Sequence, residues 1–157
     1  MRLTTKSRYG AKMFLDIALH CGGGPVRIRD ISQRQGISVK YLEKLIRKLK
    51  EASYIKSKRG PKGGHIITRP LEDISVGDIV RILEGERQLT DFADSEPGCE
   101  EALCLTNRVW VEASKAMFAK LDSISFSELV AEAKACDKAA CCLDRPCKAE
   151  SDEQENK

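Results

Sequence analysis

The chain has 157 residues, 41% of them apolar and 32% charged, which leaves room for one compact domain with an extension and excludes a disordered chain. No run approaches the roughly 18–20 continuous apolar residues of a membrane helix, and no apolar block with a small-residue cleavage site follows Met1, so a soluble, cytoplasmic protein is expected. The net charge of +3 is unevenly divided: residues 1–70 hold 17 Lys or Arg against 4 Asp or Glu, and the remainder 10 against 20. A basic first half suits a polyanion partner, because each neutralised phosphate releases condensed counterions.

Tyr9, Met13, Phe14, Ile17 and Ala18 recur at helical spacing over residues 8–20, and Cys21 with the Gly22-Gly23-Gly24-Pro25 run ends that helix. A short second helix is expected over roughly 28–35, with Ile28 and Ile31 inward. Gly36 suits a left-handed turn and Ser38 an N-cap, so a third helix follows over 39–51. It places Leu42, Leu45, Ile46 and Leu49 on one side and Lys40, Tyr41, Glu43, Lys44, Arg47, Lys48 and Lys50 on the other. A short helix, a tight turn and a longer basic helix make a helix-turn-helix. The DNA major groove, about 12 Å wide, admits one helix whose early residues reach base edges.

Next come two short β-rich runs, Tyr54 to Lys58 and His65 to Arg69, around the tip Arg59-Gly60-Pro61-Lys62-Gly63-Gly64. A hairpin directly after a recognition helix reads as a wing, and an arginine at its tip suits the negative potential of a narrow minor groove. Residues 75–84 read as a packing helix that closes a DNA-binding domain over 1–84. Residues 85–104 read as an acidic, cysteine-containing loop. From about 105, Leu105, Val109, Ala113, Ala116, Met117 and Leu121 form a stripe on a helix of about 18 residues, roughly 27 Å long. Half-site recognition asks for a two-fold dimer, which assigns residues 105–135 to a dimerisation helix and a short last helix capped by Ser125 and Glu128. Residues 136–157 read as a weakly ordered tail. The expected fold is mostly α with a small β wing, a winged helix-turn-helix plus a long dimerisation helix, and the expected partners are double-stranded promoter DNA and a second copy.

Several separated stretches carry a resemblance. They are Met1 to Tyr9, Asp30 to Ser38, Tyr41-Leu42-Glu43, Arg59 to Gly64, Ile74 to Ile79 and Cys104 to Trp110. Together they resemble the IscR-type regulators, the Rrf family of winged-helix transcription factors, over roughly residues 1–132. The resemblance implies a dimeric DNA-binding regulator, a repressor or dual regulator, rather than an enzyme. It places recognition-helix contacts on Ser38, Lys40, Tyr41 and Glu43, with Lys44 beside them, and wing contacts on Arg59 and its neighbours Gly60, Pro61 and Lys62. Glu43 can accept from cytosine N4 and so tunes site choice more than affinity.

The same resemblance implies an iron–sulfur cluster, with 2Fe-2S as the type to test, on a pattern close to Cys-x5-Cys-x5-Cys-x2-His. Cys99 and Cys104 match its second and third cysteines, with four residues between them. Phe92 to Glu96 hold no cysteine, Asn107 stands in the histidine's place, and Arg8 replaces an aspartate that some relatives supply from the first helix. Asp94, Glu96 or a cysteine from elsewhere would then have to join Cys99 and Cys104. Of the chain's 7 cysteines, Cys136, Cys141, Cys142 and Cys147 could fold back onto that loop, form a reversible disulfide or hold adventitious metal, and Cys21 receives no role. Trp110 reads as dimer-core packing, His20 as a helix-end cap, and His65 as packing or a phosphate contact. Thiol redox sensing without a cluster, a cofactor-free regulator gated by a protein or small molecule, and more distantly a thiol oxidoreductase or an RNA-binding winged helix remain open alternatives.

Overall fold

The computed structural model describes residues 4–85 and 101–135, the side chains of 101–107 excepted. Helix α1, Thr5–His20, starts where the Thr4 hydroxyl accepts the Lys6 N–H and ends in a 3-10 turn over Cys21–Gly23. Helix α2, Ile28–Gln35, stops at Gly36, whose φ of 65° is the left-handed conformation that turns the chain into α3, Val39–Glu51. Ser38 occupies the N-cap position of α3 but makes no side-chain cap; its carbonyl accepts the Tyr41 and Leu42 N–H groups. Leu42, Leu45, Ile46 and Leu49 are buried, and the charged side of α3 stays in solvent. That division follows from the 3.6-residue period of the sequence.

Strands β1, Ile55–Lys58, and β2, Gly64–Ile67, pair antiparallel with Ile55 opposite Ile67 and Lys58 opposite Gly64. Helix α4, Val76–Glu84, opens with a capping box between Ser75 and Asp78. The expected box between Ser125 and Glu128 also forms, at the head of α6, Phe126–Ala135. Between them runs α5, Glu101–Asp122, which begins four residues before the apolar stripe that announced it. Residues 101–104 of the expected loop are therefore helical. One apolar core joins α1, α2, α3, the wing and α4, and Phe126 from α6 inserts into it against Phe14.

The last turn of α4 is tied to two other helices. The Lys48 ammonium of α3 donates to the Leu83 carbonyl at 2.8 Å. The Glu84 carboxylate, 6% exposed, accepts from the Thr4 N–H, the Thr4 hydroxyl and the Ser7 N–H at 2.5–3.3 Å, capping α1 from outside. Burial by itself raises the Glu84 carboxyl, but the hydrogen bonds from Thr4 and Ser7 outweigh it and hold the group below its ordinary value. A depressed folded-state value contributes stability above the unfolded value of 4.5, and that contribution is lost as pH falls through the folded value. Urea midpoints measured from about pH 5 down to about pH 3 should therefore fall more steeply for the wild type than for Glu84→Gln. Equal slopes would remove Glu84 as a source of acid lability.

Candidate nucleic-acid interface

Exposed charge lines the early residues of α3 and the tip of the wing. Ser38, Lys40, Glu43, Lys44 and Arg47 are exposed along α3, and Arg59, Gly60, Pro61 and Lys62 are exposed at the tip. Tyr41 differs from its neighbours. It is half-buried, its ring edge-on to Tyr9 with centroids 5.9 Å apart, and burial, with Glu84 and Tyr9 adding to it, raises the phenol so that it stays protonated. Lys48 is exposed as well, but its ammonium is committed to the Leu83 carbonyl of α4.

Between α3 and β2 lies an open groove of about 680 Å³, lined by Glu43, Arg47 and Lys50 on one side and His65 on the other. Burial, and then the Lys50 charge, hold the His65 imidazole below its ordinary 6.5, so it is neutral at pH 7, with Nδ1 3.2 Å from the Ser57 hydroxyl. His20 behaves as a helix-end residue: its Nδ1 lies 2.8 Å from the Asp16 carbonyl.

The wing is fastened to the start of α2. Val26 and His65 exchange backbone hydrogen bonds at 2.8 and 2.9 Å, a pairing the alternation of residues did not announce. Gly64 makes this possible, since a Cβ there would stand 2.5 Å from the Val26 carbonyl oxygen and 2.9 Å from the Pro25 carbonyl carbon. The double glycine ahead of His65 was the one sequence signal of such an approach. The tip turns through a Gly63 N–H to Gly60 carbonyl bond at 2.9 Å, and the Arg27 guanidinium donates to the Pro61 carbonyl at 2.7 Å.

A helix-turn-helix, a wing docked on it and a long following helix are the elements that the comparisons with known proteins then match. The model of the Rrf2 family, described as iron-dependent transcriptional regulators, covers residues 3–132. The chain belongs to the Rrf2 family. The rrf2 protein of Nitratidesulfovibrio vulgaris is 50% identical over 142 residues, 90% of this chain and 95% of that one. Among solved structures, IscR of T. potens superposes with a TM-score of 0.71 at 38% identity, covering 85% of this chain and 88% of that one. CymR (YrzC), the global cysteine regulator of B. subtilis, gives a TM-score of 0.71 at 30% identity, covering 84% and 98%. As an Rrf2 protein this chain is a DNA-binding transcription regulator with the winged-helix fold.

Cys99, Asp94 and Glu96 lie outside the described residues, as do Cys136, Cys141, Cys142 and Cys147, and Cys104 is described only as backbone near the start of α5. Among the described residues no three His, Cys, Asp or Glu side chains converge on a metal position. Cys21 is half-buried with its thiol donating to the Ala18 carbonyl at 3.2 Å. No described helix is long and apolar enough to cross a membrane.

Proposed function

We propose that this Rrf2 protein is a cytoplasmic homodimer that reads promoter DNA with one α3 per half-site and regulates transcription as a repressor or dual regulator. Ser38, Lys40, Tyr41, Glu43 and Lys44 enter the major groove, and Arg59, Gly60, Pro61 and Lys62 follow the wing into the adjacent minor groove. The observation that carries this reading is the joint exposure of the early α3 charges and of the wing tip, on two elements that flank a groove lined by Glu43, Arg47 and Lys50 of α3 and His65 of β2. Residues 1–84 form the DNA-binding domain, 85–104 the sensory segment, 105–135 the dimerising part and 136–157 a tail. Val109 and Trp110, 58% and 61% exposed on α5, favour a second copy there, because large apolar side chains side by side on a helix ask for a partner surface.

Cys99 and Cys104, with Asp94 or Glu96 as third ligand, would hold an iron–sulfur cluster, 2Fe-2S being the type to test. Such a cluster would supply sensitivity to oxygen and to cellular iron. A second reading is a cofactor-free regulator gated by a small molecule, a partner or thiol oxidation. It is favoured by Asn107 in the histidine's place, while equal TM-scores to IscR and CymR make the fold compatible with both readings.

Selection of duplexes from a random pool by the full-length protein tests the DNA reading. A two-fold site with half-sites about one helical turn apart is expected. Glu43→Ala should change the preferred base at one position per half-site while moving affinity less than about threefold. An identical selected sequence would remove Glu43 from the readout. Iron and acid-labile sulfide on protein purified without oxygen test the sensor: stoichiometric amounts in the wild type and none in the Cys99→Ala/Cys104→Ala double variant are expected. Iron-free wild type that still selects the site would establish the second reading instead.

A further inference from the structure

We infer that Arg27, outside both the recognition helix and the wing, is a positioning residue for DNA binding: its hydrogen bond to Pro61 sets the angle at which the wing tip meets the duplex. This rests on the reading that the tip contacts DNA. Strand pairing ends at Lys58 and Gly64, so the ladder does not hold Arg59 to Gly63. Within the tip there is one backbone bond, from Gly63 to Gly60. The bond that reaches the tip from elsewhere comes from the Arg27 guanidinium, 2.7 Å from the Pro61 carbonyl.

Arg27 itself is anchored. It is the N-cap residue of α2, its carbonyl accepts the Asp30 and Ile31 N–H groups, and the residue before it is locked to His65 by two backbone bonds. The strut thus runs from the first helix of the helix-turn-helix, the element that positions α3, to the tip of the wing. Among the described residues no carboxylate forms an ion pair with Arg27 that would draw the guanidinium away. A tip held in advance loses less freedom on meeting the groove, and the benefit appears as affinity carried by the tip's own side chains.

That logic separates Arg27 from an ordinary phosphate contact. If it acts through the tip, removing it matters only while the tip's contacts exist; if it touches phosphate itself, its effect is independent of Arg59. The test is a double-mutant cycle in the full-length protein with Arg27→Met, which keeps the apolar stem and removes the donor, and Arg59→Ala. The probe is the duplex that the wild type selects from a random pool. Arg27→Met should weaken binding about three- to tenfold and flatten the preference for AT-rich flanks as Arg59→Ala does, with Tm unchanged. In the Arg59→Ala background the same substitution should cost less than about twofold. Equal losses in both backgrounds, or no loss in Arg27→Met while Arg59→Ala binds weakly, would overturn the positioning role and leave the wing reading intact. An Arg59→Ala protein that binds like wild type would overturn the wing reading, and this inference with it.

Discussion

Phe126→Ala is expected to destabilise the chain by about 3–5 kcal/mol, read from urea unfolding at a fixed protein concentration. Phe126 is fully buried and meets Phe14 edge-on, with ring centroids 4.7 Å apart. Truncation loses the transfer free energy of a large side chain and leaves a cavity, because α1 on one side and α6 on the other are each held by further contacts. Those contacts include the pairing of residues around Ser75 and Ser125, through Val76 N–H to Ile124 carbonyl and Phe126 N–H to Ile74 carbonyl bonds at 2.9 Å. By contrast, the Arg81–Asp122 ion pair, although only 2.6 Å long, is solvent-facing and should be worth no more than about 1 kcal/mol. A loss below about 1 kcal/mol for Phe126→Ala would mean that α6 does not share a cooperative core with α1.

The second large effect concerns a charge. Asp16 is fully buried in α1 and receives Arg34 from α2 through both Nε and Nη2, the shortest contact 2.6 Å, with the Gln35 amide at 2.9 Å. Arg34→Ala leaves that carboxylate with the amide and no cation beside it, apart from His20 at 3.6 Å when protonated. Breaking a buried pair from one side costs about 3–5 kcal/mol, whereas replacing both partners by apolar residues is often neutral. Arg34→Ala should therefore fall near the upper part of that range, and Asp16→Leu/Arg34→Leu should recover most of the loss. A double variant as unstable as the single one would show that the pair contributes more than it costs to desolvate.

Much of this architecture was legible in the residues. The helix-turn-helix followed from Ile28 and Ile31, Gly36, and the Leu42, Leu45, Ile46 and Leu49 stripe, because burial on a helix obeys a local period. The wing followed from its turn residues for the same reason. Contacts between distant segments were not legible. Val26 pairs with His65 across 39 positions of sequence, Lys48 turns from a face that reads as solvated to cap α4, and Glu84 is buried where a helix-end glutamate ordinarily points to water. No local pattern encodes these, since each depends on which backbone groups the fold leaves unpaired. The start of α5 was misplaced for a different reason: Glu101, Ala102 and Leu103 favour a helix, but the acidic composition around them reads as loop. Of the candidate interface, α3 and the tip were visible in sequence, and the strut from Arg27 was not.

The exposed indole on α5 has a practical consequence. Trp110 is the only tryptophan in the chain, and 61% of it faces water. Indole emission shifts toward the blue when water leaves the ring, and at long excitation wavelengths the three tyrosines are dark. The unlabelled protein therefore carries its own optical gauge, one that reports from a single point on the long helix. A dilution series followed by this emission separates events on α5 from events at the wing without attaching a dye to either.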